Sequence, residues 1–133
     1  MNTKDRSGST ALIEAAWRGD TAIVTALIAA GVDVNTKDRS GSTALIEAAR
    51  RGCPAVVTAL IAAGANVNTK DRSGSTALMH SARHGYPATV AALIAAGADV
   101  NAEDNYGSTA LTWAERNQCT ATVSALLAAG AIR

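Results

Sequence analysis

The apolar residues of this chain follow the period of an α-helix in short segments, and each segment ends at a glycine. The second copy of the pattern shows this most clearly. A turn sequence, "DRSG" at 38–41, precedes "TALIEAARRG" at 43–52, where Ser42 or Thr43 is placed to cap the helix start. "PAVVTALIAAG" at 54–64 follows, and its proline stands where it opens a second helix. The pattern predicts a turn, a helix, a glycine turn, a second helix and an extended loop.

This unit recurs with a period of 33 residues along the whole chain. The recurring words are "NTKDRSGSTAL" at 2–12, 35–45 and 68–78, and "NAEDNYGSTAL" at 101–111. We therefore expect a single domain, 1–133, of four repeats at about 2–34, 35–67, 68–100 and 101–133. Because helices shorter than about 12–15 residues are marginal alone in water, the copies must stack to bury their apolar faces.

The pattern resembles the ankyrin repeat. The signature of that family is an Asp-x-x-Gly-x-Thr turn, a helix, a glycine, a second helix and then Gly-Ala-Asp-Val-Asn. The first copy meets it at Asp5, Gly8, Thr10, Gly19, Val24, Leu27, Gly31, Asp33, Val34 and Asn35, and the later copies meet it at the same places. The resemblance implies an all-α solenoid of stacked helix-turn-helix units with projecting β-turn loops. It also implies a non-enzymatic module that binds other proteins and needs no cofactor.

One departure from the family is constant along the chain. The family's Thr-Pro-Leu-His reads "TALI", "TALI", "TALM" and "TALT" here, so a helix-opening proline and a histidine that ties repeats together are lost. Ile13, Ile46 and Met79 are therefore expected to replace hydrogen bonds by packing.

By the same resemblance, a partner protein is expected on the turn tips and on the concave side of the first helices. The residues at those places are Arg6, Ser7, Glu14, Trp17, Arg18, Arg39, Ser40, Glu47, Arg50, Arg51, Arg72, Ser73, His80, Arg83, His84, Tyr106, Trp113 and Arg116. Trp17 takes a place that arginine holds in the other copies. This favours either a binding anchor or simple packing over the stem of Arg50. Trp113, in the last copy, is expected to cover an edge of the core.

Basic residues are concentrated in the loops and at the ends of the first helices, although the net charge is only +1. Two interpretations stay open: a solvated face whose arginines complement the helix dipoles, or a groove for an acidic segment of a partner. Acidic residues interrupt the stripe and aromatic residues make up only 3% of the chain, so a nucleic-acid ligand is not expected. No apolar run approaches the roughly 20 residues that cross a bilayer, so a membrane partner is not expected either.

Histidine and cysteine residues invite chemical interpretations that the pattern does not favour. His80 and His84 stand four residues apart with Glu47 in the neighbouring copy, but two exposed histidines are a commoner outcome than a metal site. Cys53 and Cys119 occupy the same place two periods apart, too far for a disulfide. Two free thiols fit a reducing, cytoplasmic setting.

The turns between the two helices of each copy are expected to require a left-handed residue, which Gly19, Gly52 and Gly85 provide. The last copy has Asn117 and Gln118 there instead. A non-glycine residue costs roughly 1–2 kcal/mol in that conformation unless Asn117 takes over the turn. The last repeat is therefore expected to open first.

The two ends of the predicted solenoid differ. Thr112 and Glu115 give the last repeat a polar outer face, whereas 2–16 match the internal segment 35–49 at all fifteen positions. The first repeat should therefore expose an apolar face, which either pairs weakly with a second copy about a two-fold axis or frays. The identity of the copies also keeps a second class of function open, an engineered or recently duplicated scaffold or spacer without a natural partner.

Overall fold

The structure is a computed structural model that describes the backbone of residues 3–132 and the side chains of residues 10–132. Within that range the chain forms eight helices and no strand. They are α1 (Thr3–Arg18), α2 (Thr21–Ala29), α3 (Ala44–Arg51), α4 (Pro54–Ala62), α5 (Ala77–His84), α6 (Pro87–Ala95), α7 (Ala110–Arg116) and α8 (Thr120–Ala128). None of the described helices is long and apolar enough to span a bilayer. The predicted all-α arrangement of repeated helix pairs is confirmed.

The helices form two layers with the core between them. The first helices α1, α3, α5 and α7 pack side by side in one layer, and α2, α4, α6 and α8 form the other. One continuous apolar cluster of Leu, Val and Ala side chains runs through all four repeats. Ile46 and Met79 are buried in it and Ile13 packs against it, as expected of residues that replace hydrogen bonds by packing. In a solenoid of this kind, the apolar side chains of each repeat are buried only by contact with the neighbouring repeats.

Polar side chains fix where each helix begins. Thr43, Thr76 and Thr109 accept the backbone N–H three residues later, so threonine and not the preceding serine is the cap of α3, α5 and α7. Asp20 caps α2 in the same way. Pro54 stands in the first turn of α4, where its missing N–H leaves no bond unmade.

Asparagine side chains tie each loop to the next repeat. Asn35 Oδ1 accepts the backbone N–H of Asn66 at 2.7 Å, and Asn35 Nδ2 donates to the carbonyl of Gly64 at 3.2 Å. Asn68 and Asn101 make the same pair of bonds one and two periods later. The repeated Asn therefore sets the stacking distance at this edge of the solenoid.

The turn predicted at 5–8 is wrong for the first repeat, because α1 continues back to Thr3. In the second repeat Ser42 and Thr43 are buried, whereas the equivalent Thr10 is exposed. A preceding repeat covers this helix start in the later copies. Where that packing is missing, the same residues continue the helix instead of turning.

The turns between paired helices are left-handed as predicted, with φ of 74° at Gly19, 69° at Gly52 and 72° at Gly85. In the last repeat Gln118 adopts φ 59°, so a non-glycine residue occupies the left-handed turn and the stated alternative, in which Asn117 takes over the turn, does not occur. Asn117 stays at φ −98°, because its Nδ2 donates to the backbone carbonyls of Trp113 in α7 and Arg83 in α5.

Candidate functional site

The last turns of the four first helices form one basic and aromatic surface, which we call the helix-end surface. Its members are Trp17, Arg18, Arg50, Arg51, Arg83, His84, Trp113 and Arg116. They lie on one side because residues 33 apart occupy the same place in helices that pack side by side. The arginines are exposed, and 46% of the Trp17 side-chain surface remains open to solvent. Two repeat positions on this surface differ between copies, since residues 17, 50, 83 and 116 are Trp, Arg, Arg and Arg, and residues 18, 51, 84 and 117 are Arg, Arg, His and Asn.

Three of these arginines lie over tryptophan rings. The guanidinium carbon of Arg51 is 4.7 Å from the centroid of the Trp17 ring, a contact that was not predicted. Arg83 and Arg116 both lie 4.9 Å from the centroid of Trp113. Such cation–π contacts hold a guanidinium in place without neutralising its charge.

Trp113 also links helix α7 to the turn that precedes it. The ring is half-buried and packs against the core, which fits its expected role as cover for the core edge. Its Nε1 donates to Asp104 Oδ2 at 3.2 Å. The indole is therefore fixed on one side by a hydrogen bond and on the other by its arginine neighbours.

His80 takes the corresponding place one repeat earlier and makes the corresponding bond. Its Nε2 lies 2.9 Å from Asp71 Oδ2, and only 12% of its side chain is exposed, so the expectation of two exposed histidines is wrong for His80. Burial lowers the pKa of His80 below its ordinary value of 6.5, although Asp71 opposes the change. His84 is exposed and stacks on Tyr86, with ring centroids 5.7 Å apart.

The residues equivalent to His80 in the first two repeats are glutamates, Glu14 and Glu47, and they differ in burial and in bonding partners. Glu47 is only 6% exposed, so its expected position on an open surface is wrong. Its Oε2 accepts a bond from Ser42 Oγ at 2.7 Å and lies 3.4 Å from an Arg50 nitrogen. Glu14 is exposed and pairs with Arg18 at 2.7 Å. A groove of about 310 Å³ runs between these glutamates and is lined by Thr10, Ile13, Glu14, Trp17, Asp38 and Glu47.

The turn tips of the later repeats are open to solvent. The predicted tip residues Arg39, Ser40, Arg72, Ser73 and Tyr106 are all exposed. Below them, each turn is closed by an aspartate that accepts local backbone N–H groups, as Asp38 does from Ser40 and Ser42. Burial opposes ionisation of Asp38, but these bonds outweigh it and lower the pKa of its carboxyl. The side chains of Arg6 and Ser7, also predicted at the site, lie outside the described residues.

Sequence comparison identifies the repeat. The family model for ankyrin repeats (3 copies) matches residues 1–71 and again residues 69–132. The chain belongs to the ankyrin repeat family. Ankyrin repeats are generally protein–protein interaction modules and typically have no catalytic activity. A comparison with curated proteins gives no match.

The described part of this ankyrin domain contains no cluster of potential metal ligands. No three His, Cys, Asp or Glu side chains of the described residues come together as ligands. Cys53 and Cys119 are free and half-buried. Their sulfurs sit against the turns of the preceding repeats, where a side chain on Gly19 would meet Cys53 Sγ at 2.8 Å and one on Gly85 would meet Cys119 Sγ at 2.7 Å. Both cysteines act as packing residues there.

Two kinds of contact in the ankyrin stack were not foreseen. Two of the arginine–tryptophan contacts, Arg51 with Trp17 and Arg83 with Trp113, cross from one repeat to the next, and the helix period alone does not say which arginine reaches which ring. The bonds from His80 to Asp71 and from Trp113 to Asp104 had a signal in the sequence. In both pairs a donor follows the aspartate of its own turn by nine residues.

Proposed function

We propose that this ankyrin repeat domain binds a partner protein through the helix-end surface and the exposed turn tips, without catalysis. The observation that carries the proposal is the set of three exposed arginines, Arg51, Arg83 and Arg116, that lie over the rings of Trp17 and Trp113. Arginine and tryptophan are the residue types that contribute most to protein interfaces. A flat, rigid face of this kind suits binding better than the enclosed pocket that an enzyme requires.

Sequence variation supports the same location. The repeated words specify turns and helix starts, and those residues are largely occupied in capping and packing. The copies differ at the helix-end surface, where Trp17, Arg50, Arg83 and Arg116 share one place in the repeat. Positions that vary while the fold stays the same are free to serve recognition.

A paired substitution tests the location. A partner would first be captured from a cell extract, identified and purified, and its affinity then measured for Trp17→Ala combined with Arg51→Ala. We expect a loss of about 2 kcal/mol or more if these residues are a hot spot, with an unchanged circular dichroism spectrum. Thr58→Ala, on the exposed side of α4, is the matched control and should bind normally. Equal binding by the double variant would move the site to the turn tips.

The second candidate is a scaffold or spacer without a specific partner, supported by the fifteen identical positions in 2–16 and 35–49. The same capture experiment separates the two classes. If the domain is only a spacer, the wild-type protein and the helix-end variant should retain the same proteins from the extract.

We further propose that the apolar end of the first repeat pairs weakly with a second copy. Ile23 is 48% exposed, whereas Val56 at the same place in the next repeat is 0% exposed. A shallow depression of about 220 Å³ beside it is lined by Ala11, Glu14, Ala15, Arg18, Asp20 and Ile23. Its Glu14 and Asp20 carboxylates and its Arg18 are complementary to the same set on a copy related by a two-fold axis.

A reducing, cytoplasmic setting is proposed for the protein from its two free cysteines.

A further inference from the structure

In the third and fourth repeats, a ring nitrogen of the first helix bonds the aspartate of the turn. Asp71 accepts backbone N–H groups at Oδ1, and its Oδ2 lies 2.9 Å from His80 Nε2. Asp104 accepts backbone N–H groups at Oδ1 in the same way, and its Oδ2 accepts the indole N–H of Trp113 at 3.2 Å. Each carboxylate therefore has one oxygen bonded to its own turn and one bonded to a ring nine residues later.

The second repeat lacks this ring. The residue nine positions after Asp38 is Glu47, and a carboxylate accepts hydrogen bonds but donates none. Glu47 Oε2 accepts a bond from Ser42 Oγ at 2.7 Å instead. Every hydrogen bond between the Asp38 carboxyl group and a described residue ends on Oδ1, and the donors belong to Ser40 and Ser42. Asp38 Oδ2 therefore lacks the donor that its equivalents have.

Asp38 and Glu47 line the groove of about 310 Å³ beside Trp17, and Glu14 lines it as well. Its volume lies at the low end of the roughly 300–1,000 Å³ of ligand pockets, which suits a group as small as one side chain. Arginines of the same helices offset part of the charge of the two glutamates. Asp38 takes part in none of the ion pairs between described residues. The groove therefore favours a positively charged group.

Trp17 has room for a second cation. The ring of Trp113 carries two guanidinium groups, those of Arg83 and Arg116, each 4.9 Å from its centroid. The ring of Trp17 carries only that of Arg51, and 46% of the Trp17 side chain is exposed. One indole ring of this chain thus accommodates two guanidinium groups, and the other holds one beside a groove lined by carboxylates.

We propose that the groove beside Trp17 binds an arginine side chain of the partner protein. The inference rests on the proposed function and specifies the chemical group that the partner presents. The guanidinium lies against the open part of the Trp17 ring and donates to Asp38 Oδ2 and to the exposed carboxylate of Glu14. Arginine fits better than lysine because its planar group stacks on an aromatic ring and presents five N–H donors in a fixed fork.

The N-acetyl amide of arginine tests this chemistry, and the N-acetyl amide of citrulline, which is uncharged and of nearly the same shape, is the matched control. In ¹⁵N-correlated NMR titrations of the whole chain at pH 7 and low salt, the arginine derivative should shift the indole signal of Trp17 and the amide signals of Asp38 and Glu47. We expect saturation with a dissociation constant on the order of millimolar. The citrulline derivative should bind at least about ten-fold more weakly, because it lacks the charge. Equal binding of the two, shifts confined to Trp113, or no saturable shift would overturn the proposal.

Conservative variants locate the arginine. Asp38→Asn removes the charge but keeps the Oδ1 acceptor that closes the turn, and it should weaken the arginine derivative at least about five-fold. Glu14→Gln, on the exposed side of α1, should also weaken it and does not alter the turn. Asp99→Asn is the matched control, since Asp99 is an exposed loop aspartate that also accepts the N–H two residues later. With unchanged circular dichroism spectra, normal binding by both Asp38→Asn and Glu14→Gln would overturn the proposal.

A captured protein partner separates this inference from the proposed function. We expect Asp38→Asn to weaken that partner and Asp99→Asn to bind it normally. If the variant with Trp17→Ala and Arg51→Ala loses the partner but Asp38→Asn and Glu14→Gln bind it normally, the arginine inference fails and the proposed function stands. If all these variants bind the partner normally, the proposed function fails as well.

Discussion

At the scale of single residues, the same place in the repeat carries different side chains with different consequences. Position 56 is a buried valine, and the equivalent residues of the next two repeats are Thr89 and Thr122, also buried. The hydroxyls of Thr89 and Thr122 have no hydrogen-bond partner within the described residues. A buried hydroxyl that is left unpaired costs free energy that a methyl group of the same size does not.

Thr89→Val should therefore raise the free energy of unfolding by about 1 kcal/mol, because it removes an unpaired polar atom and keeps the volume. Chemical denaturation monitored by circular dichroism measures this. The reciprocal change Val56→Thr is the control and should destabilise by about 1–2 kcal/mol. A destabilising Thr89→Val would mean that the hydroxyl has a partner.

His80 gives the domain a pH dependence of known sign. Its pKa is lowered by burial, with Arg50 and Arg83 adding to the effect and Asp71 opposing it. The unfolded chain therefore takes up the proton first, so the contribution of His80 to stability is complete above pH 6.5 and is lost as the pH falls toward its folded pKa. Hydrogen bonds from His80 and Ser73 outweigh burial and lower the pKa of Asp71 below 3.8, so its own contribution is lost only in stronger acid.

Thermal unfolding between pH 7 and pH 5 tests this sign. We expect the melting temperature to fall on acidification and His80→Gln to reduce the fall, since the amide can still donate to Asp71 but does not titrate. His84→Gln, at an exposed neighbouring position, is the control and should change the profile much less. An unchanged acid profile in His80→Gln would contradict the assignment.

At the scale of helices and turns, most of the structure follows from local chemistry. Caps such as Thr43, the proline that opens α4 and the left-handed Gly52 were all predicted, because each depends on neighbours within a few residues. The turn predicted at 5–8 is replaced by helix, because an identical sequence forms a turn only where a preceding repeat covers it. Sequence identity between copies therefore predicts the element only when the packing is also identical.

The turn of the last repeat has the least favourable backbone of the set. Gln118 adopts φ 59° where the other repeats have glycine, and α7 is a residue shorter than α3 and α5. Native-state hydrogen exchange should show α7 and α8 opening before α3 and α4. Gln118→Gly should slow exchange there and stabilise the protein by about 1 kcal/mol. Earlier opening of the second repeat would refute this order.

At the scale of the whole molecule, the two ends of the stack have different surfaces. An exposed apolar face was predicted for the first repeat, and both Ala11 and Ile23 are exposed. Ala15, four residues further along α1, is only 4% exposed and belongs to the core. The proposed dimer therefore depends on Ala11 and Ile23 and not on Ala15.

Sedimentation equilibrium at rising concentration tests the dimer. We expect the average mass to increase toward that of two chains, because pairing removes apolar surface from water. Ile23→Lys should abolish the increase, and Thr58→Lys on exposed α4 is the control for the added charge. A monomeric mass up to millimolar concentration would contradict self-association.

The candidate binding surface was only partly predictable. The family pattern indicated the ends of the first helices, and the exposed arginines lie there. It also placed Glu47 and His80 on the open surface, although both side chains are largely buried and bonded within the fold. The contact of Arg51 with Trp17 was not foreseen. The Arg51–Trp17 contact crosses from one repeat to the next, and the helix period alone does not predict it. The bond of His80 had a signal in its nine-residue distance from Asp71.

The two tryptophans offer the most direct test of where the partner binds, because they mark the two ends of the helix-end surface and give the chain two indole N–H signals. In a ¹⁵N-correlated NMR titration with a purified partner, the indole signals of Trp17 and Trp113 should both shift, together with amides at the ends of α3 and α5. The amides of α4 and α6, in the opposite layer, should shift little. Unmoved indole signals with shifts confined to α4 and α6 would contradict the central claim that this protein binds its partner through the first-helix layer.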